Sequence, residues 1–288
     1  MRVSWDTSTG HPERAGHANE DFLGAVTDAV VLLDGAGIPG AEHLCRHGVE
    51  WYTRRLGGSL LARLPDHGRE LTTVLADAIS DVADLHRDTC AIEDTSSPQA
   101  AVAVVRLGGG RLDVVVLGDC VVLVVKEGGD PVLVTDGRED AVRDECLVAL
   151  SGLVPGTAEH DRAMAGVKAA FRARRNTAGG FWVAKDQPAA AHEAVRSTIS
   201  LDGVTGVGLL SNGASRLVHP YEVADWPAVA RVLNNDGPTE VVRQVREAED
   251  GPTGRDAGWD APDDATVAWL RLDGHPLGRG RPATRLTR

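Results

Sequence analysis

Acidic residues stand at the ends of short apolar runs in four separated places: Asn19-Glu20-Asp21, Asp34-Gly35, Gly118-Asp119 and Asp263-Asp264. A fifth place of the same kind, Leu209-Leu210-Ser211-Asn212-Gly213, carries an amide where the others carry a carboxylate. Carboxylates gathered at strand ends, with little positive charge nearby, suit hard divalent cations that take oxygen ligands. Asp34 closes the run Val30-Val31-Leu32-Leu33 and precedes Gly35. A glycine there lets the backbone come close, so carboxylate and carbonyl can share one cation. The same dipeptide is also a common turn former. Asp263 and Asp21 read alone as an acidic turn and as solvated charge, and Asp119 in its Gly-Asp-Cys hairpin reads alone as a cap. The argument for a site lies in the set.

The bulk composition narrows the chemistry. The chain has 288 residues and a net charge of −12, enough length for one large α/β domain with a sizeable core. The last fourteen residues carry Arg279, Arg281, Arg285 and Arg288 and no acid, so removing those four charges leaves −16 on the rest. A surface that negative repels a polyanionic backbone, which excludes nucleic acid as a partner. No apolar stretch approaches the length of a membrane span, and the start of the chain lacks an apolar signal core. The four cysteines (Cys45, Cys90, Cys120, Cys146) are far apart and without CxxC spacing, which predicts reduced, buried thiols in a cytoplasmic protein. His43, Cys45 and His47 have ligand chemistry, but a helix would scatter that spacing around its circumference, so no zinc site is expected there.

The elements that must position these acids follow from periodicity. The opening stretch to about Asp21 reads as loop or edge strand, and Phe22–Thr27 and Ala29–Leu33 read as strands. Leu44, Gly48, Tyr52, Leu56, Leu60 and Leu64 mark one amphipathic helix, and Leu71, Leu75, Ile79, Val82 and Leu85 a second. Val-rich runs over Ala100–Leu107, Leu112–Leu117, Val121–Val125 and Val132–Thr135 predict a meander. Helices are expected over Ala141–Leu150, Glu159–Arg174, Trp226–Asn234 and Glu240–Glu249, and strands over Gly180–Lys185, Val207–Leu210 and Thr266–Leu272. Strands and helices do not alternate regularly, so an α+β sandwich with helices covering antiparallel sheets fits better than a doubly wound sheet. Residues 1–274 read as one domain and 275–288 as a basic tail.

Taken in chain order, the five boxes resemble the PPM-type metal-dependent protein phosphatases, the type 2C class. That family carries an Asn-Glu-Asp box, an Asp-Gly box after a strand, a Gly-Asp-Ser turn, a Ser-Asp-Gly box and a terminal Asp-Asp/Asn-x-Thr. Leu133-Val134-Thr135-Asp136 echoes a further family element, and the resemblance runs from residue 19 to 272. Gly179-Gly180-Phe181-Trp182 and the run from Leu209 to Val218 look like a divergent bacterial, actinobacterial-type branch. The resemblance implies a four-layer αββα sandwich with two Mn²⁺ or Mg²⁺ ions at one end. By position, Asp34 would bridge both ions, Gly35 would give its carbonyl, Asp21 would bind or orient metal-bound water, and Asp263 with Asn212 would hold the second ion. Glu20, Asp119 and Asp264 would support them. Water between the ions would lose a proton and attack the phosphorus of a phosphoserine or phosphothreonine ester on a protein substrate.

Several positions depart from the family pattern. Asn212 keeps one carbonyl ligand but removes a full negative charge from the second ion's shell. Arg216 stands where relatives often place an acid for a third ion, so no third ion is expected. Gly16 replaces the phosphate-gripping arginine, and Arg14 or His17 are the candidates to reach that space. Ala36 follows Asp34-Gly35 where eukaryotic relatives have His, and Cys120 follows Asp119 instead of Ser. Arg172, Arg174 and Arg175 form a basic helix end with a possible phosphopeptide contact. The sequence therefore supports a phosphatase with a weakened second metal site, and, as an alternative, a catalytically impaired pseudophosphatase serving as a binding module.

Overall fold

The computed structural model describes residues 1–9, 18–38, 40–251 and 262–272. Gly16, Arg14, His17 and the basic tail at 275–288 lie outside the described residues.

Two antiparallel five-stranded sheets lie face to face. One runs in the order β1 (Arg2–Ser8), β10 (Ala265–Arg271), β9 (Val204–Leu210), β6 (Val121–Lys126), β7 (Val132–Val134). The other runs β2 (Phe22–Ala25), β3 (Ala29–Ala36), β4 (Gln99–Gly108), β5 (Arg111–Leu117), β8 (Val195–Ser200). Helices α1 (Gly48–Arg63) and α2 (Leu71–His86) cover the second sheet. Helices α5 (Asn212–Ser215), α6 (Trp226–Asn235) and α7 (Pro238–Asp250) cover the first. Helices α3 (Arg138–Leu147) and α4 (Ala158–Ala173) pack on Phe181 and Val183 beside the sheets. This is the expected α+β sandwich of two sheets between helical layers.

The central strands carry continuous apolar runs because both of their faces are covered. On β3, Ala29, Val31 and Leu33 face α1 and α2, while Val30 and Leu32 face the opposing sheet. On β10, Val267 and Trp269 face α6 and α7, while Ala268 and Leu270 face inward. Side chains alternate across a strand, so each run feeds two cores at once.

Antiparallel pairing then fixes where the acids go. The start of β2 lies beside the end of β3, with Phe22 opposite Leu33. The end of β9 lies beside the start of β10, with Leu210 opposite Val267. The Gly118–Cys120 turn carries the chain from β5 in one sheet to β6 in the other. All five boxes therefore meet at one end of the sandwich.

Two strand expectations fail. Gly180–Lys185 is not a strand and joins the sheet only through an isolated bridge from Ala184 to Ala100. Its backbone is diverted instead, since Asn176 N–H bonds Phe181 O at 2.8 Å and Arg174 O receives Phe181 N–H at 3.3 Å. Conversely, Val195–Ser200 is a strand that the apolar runs did not mark. It is an edge strand with an alternating pattern, so half of its residues stay polar.

Leu32 is fully buried between the sheets. Leu32→Ala is expected to cost about 2–5 kcal/mol in urea unfolding, against under about 0.5 kcal/mol for Thr198→Ala on the exposed face of β8.

Candidate metal centre

Asp34, two residues before the end of β3, lines a cleft of about 240 Å³ together with Glu20, Gly35, Asp119, Asn212 and Asp263. Tight glycine contacts draw these segments together. A Cβ on Gly35 would lie 2.3 Å from the carbonyl oxygen of Glu20, and one on Gly213 would lie 2.1 Å from that of Asp264. The glycine after each box residue thus lets two loops touch backbone to backbone. Glu20 N–H donates to Asp264 Oδ2 at 2.7 Å, and Asp21 N–H to Asn19 Oδ1 at 2.9 Å, while Asn19 Nδ2 reaches Thr7 Oγ1 at 2.7 Å. The first and last boxes are therefore laced into one unit.

The carboxylates sit in a place that disfavours their charge. Asp21 stands near enough to Asp34 to repel its charge, and among the described residues neither of its buried oxygens meets a hydrogen-bond partner. Thr266, whose Oγ1 lies 2.7 Å from Thr7 Oγ1, is the main counterweight to burial at Asp21. Burial pushes Asp21 up to about 7, reinforced by the charges of Asp264 and Asp263. Burial also raises Asp34 well above the usual carboxylate range, with Asp21, Asp119 and Asp263 adding repulsion. Asn212 N–H donates to Asp34 Oδ2 at 2.6 Å and offsets part of this. Burial pushes Asp119 up to about 6, with Arg143 pulling it down and Asp140 pushing it up.

A buried carboxylate without a partner, beside a second one and a glycine carbonyl, fits a divalent cation on the Asp34 side. The residues for a second cation do not fit in the same way. Arg216, 5% exposed, donates from Nε to Asn212 Oδ1 at 3.3 Å and from its terminal nitrogen to Asp263 Oδ2 at 3.1 Å. Asn212 Nδ2 donates to Asp119 Oδ2 at 2.9 Å. A guanidinium on one side and a carboxylate on the other fix the amide orientation. Both residues expected to hold a second ion are thus engaged by a fixed cation.

Of the expected site residues, Asp21, Glu20, Asp34, Gly35, Asp119, Asn212, Asp263 and Asp264 converge, whereas Arg14 and His17 lie outside the described residues. Sequence reasoning missed Arg143, which lines the cleft and pairs with Asp140 at 2.8 Å. It noted Arg175 only as part of a basic helix end. Arg175 turns into the cleft, bonds Thr95 O at 2.6 Å, stands over the Phe181 ring and leaves Nε without a partner. Burial lowers its pKa to about 10, so it stays charged at neutral pH. Arg174 instead pairs outward with Glu145 and Gly179 O.

The family model for protein phosphatase 2C matches residues 10–247. The chain belongs to that family. A search of curated proteins finds no match. Among solved structures, the serine/threonine phosphatase PstP/Ppp of Mycobacterium tuberculosis aligns over 95% of this chain and 99% of its own at 19% identity, with a TM-score of 0.58. Stp1 of Staphylococcus aureus aligns over 95% and 96% at 14% identity, with a TM-score of 0.58. The catalytic domain of PstP in complex with two manganese ions aligns over 93% and 96% at 18% identity, with a TM-score of 0.53. At such identities the likeness shows the shared fold.

The raised carboxyls link stability to pH and to cations. An acid whose folded pKa lies above its unfolded value binds protons more tightly when folded. Its stabilisation is full below the ordinary carboxylate pKa and is lost as pH rises through about 6 for Asp119 and about 7 for Asp21. In buffers without divalent cations, the melting temperature should fall between about pH 4 and pH 7.5. Millimolar Mn²⁺ should raise it, and raise it more at the upper end of that range. A melting temperature that climbs across the window without cation contradicts the carboxyl assignment.

Proposed function

We propose that this chain hydrolyses phosphoserine and phosphothreonine esters of protein substrates with Mn²⁺ or Mg²⁺, working mainly from the Asp34 side of the cleft. The observation that carries the reading is the convergence of Asp21, Asp34 and the Gly35 backbone, with one buried carboxylate left unpartnered. Asp34, Asp21 and the Gly35 carbonyl would hold the cation. When bound, such an ion neutralises charge on phosphoryl oxygens and makes water a better nucleophile at neutral pH. Arg175 offers its partly unpaired guanidinium to the incoming phosphate, and Arg143 lines the cleft beside it. Arg216 neutralises Asp263 and orients Asn212. It leaves the second cation position weak, because a guanidinium supplies charge but no coordination site. The four cysteines are free thiols, which suits a cytoplasmic location. No helix among the described residues is long and apolar enough to cross a membrane.

The contact of Arg216 with both Asn212 and Asp263 favours a second reading, a pseudophosphatase that binds phosphoprotein without turning it over. Pure protein with millimolar Mn²⁺ separates the two, using p-nitrophenyl phosphate and a phosphothreonine peptide. Under the first reading, turnover is cation-dependent and drops about a hundredfold or more in Asp34→Ala. It rises about tenfold or more when Asn212→Asp is combined with Arg216→Ala. Under the second, neither wild type nor double variant turns over, calorimetry registers at most one cation, and phosphopeptide still binds. A protein with neither turnover nor phosphopeptide binding ends both readings.

A further inference from the structure

A second cluster of metal-ligating side chains lies away from the acidic cleft. The residues before α1 are turns, not the helix that periodicity suggested, and α1 begins only at Gly48. His43 takes no part. Cys45 and His47 instead meet His86, the last residue of α2, and Cys90, four residues beyond it. One ligand atom from each of the four lies within 4.8 Å of every other. Cys45 Sγ is 3.8 Å from His47 Nδ1 and 3.6 Å from His86 Nδ1, and Cys90 Sγ is 3.4 Å from His47 Nδ1. A tetrahedral Zn²⁺, with Zn–S about 2.3 Å and Zn–N about 2.0–2.1 Å, separates sulfur from nitrogen by about 3.6 Å.

The surroundings hold these groups in place. Ala91 N–H donates to Leu44 O at 2.8 Å and ties the two ligand-bearing segments together. The Trp51 indole stacks on the His47 ring at 4.3 Å and lies 5.1 Å from His86. Cys45 and His86 are each 3% exposed, and Cys90 and His47 are half-buried. Arg46 Nε is 3.4 Å from His47 Nε2, an exposed contact. With Nδ1 on a metal, Nε2 carries the ring proton and this arginine turns to solvent.

We propose that Cys45, His47, His86 and Cys90 form a structural zinc site that staples the start of α1 to the end of α2. Two thiolates and two neutral imidazoles complete a closed tetrahedral shell with no place for substrate, so the ion serves folding and not hydrolysis. The staple lies next to the cleft wall. Val49, two residues after His47, packs so closely that a Cβ on Gly35 or Gly37 would come within 2.8 or 2.6 Å of its methyls. Ile92, two residues after Cys90, receives the Lys185 ammonium and the Ser97 hydroxyl on its carbonyl. The zinc would thus hold both the first turn of α1 and the segment leading to β4.

Metal analysis of protein purified by gel filtration in metal-free buffer tests this. About one zinc per chain is expected. It should be retained in Asp34→Asn and Cys146→Ser, and fall at least about tenfold in Cys90→Ser and His86→Ala, with a lower melting temperature. Should those variants fail to fold, wild type loaded with Co²⁺ reads the site directly, through thiolate charge-transfer and tetrahedral ligand-field bands. The proposal is overturned by folded wild type that takes neither zinc nor cobalt. It is equally overturned by a Cys45–Cys90 disulfide, seen as a mass deficit of two hydrogens, or by zinc lost in Asp34→Asn and kept in Cys90→Ser.

Discussion

Repulsion among carboxylates confined to one poorly solvated cleft is the constraint on which the rest of this end of the molecule depends. Burial contributes the largest share of the raised proton affinity of Asp21, Asp34 and Asp119; the charges of Asp21, Asp119 and Asp263 add to it at Asp34, and those of Asp264 and Asp263 at Asp21. A fold bears such a cluster only when it is protonated, bound to cations or faced by fixed positive charge. Among the described residues, fixed charge answers two of these acids. Arg143 faces Asp119, and Arg216 faces Asp263. Among the described residues no comparable side chain answers Asp21, and that asymmetry gives the cleft one side that calls for a removable cation and one that is already answered.

The sandwich makes this concentration unavoidable. Antiparallel strands that enter and leave at one end bring residues distant in sequence, such as Glu20 and Asp264, within hydrogen-bond reach at 2.7 Å. The apolar interior between the sheets excludes water behind them, so Asp21 has protein where a surface aspartate would have solvent. The two glycines that admit backbone contact, Gly35 and Gly213, follow Asp34 and Asn212 directly. These two boxes thus combine a ligand type with the residue that lets its neighbour approach, which is why they are short and still informative.

The strand-end acids were legible because their signal is local: an acid beside a short apolar run, sharpened at Asp34 by the glycine that follows it. The doubly covered strands were legible for the same reason, since Val30–Leu33 is apolar on both faces. What was not legible depends on partners remote in sequence. Arg216 was read as an obstacle to a third ion, and only the fold shows its guanidinium spanning Asn212 and Asp263. Arg175 had a visible signal in its basic helix end, but only the fold shows it bridged to Phe181 and lining the cleft. Val195–Ser200 escaped because an edge strand needs few apolar residues. Cys45 and His47 gave no zinc signal because the periodicity predicts a helix around them, and the side chains they meet, His86 and Cys90, stand at and just past the end of α2.

Asn212 and Arg216 are best understood as one compensated pair. An aspartate at 212 would face Asp119 across the 2.9 Å contact that the Asn212 amide now makes as a donor. That contact would become a repulsion between carboxylates unless a cation lay close by. The amide removes the repulsion, and the guanidinium completes the neutralisation by bonding the amide oxygen on its other side. Together they let this half of the cleft fold without a bound ion. The same exchange limits chemistry, because a guanidinium can hold a phosphoryl oxygen but cannot acidify water. Under the proposed reading, any attack on phosphorus is therefore organised from the Asp34–Asp21 side, and the Arg216 side contributes binding.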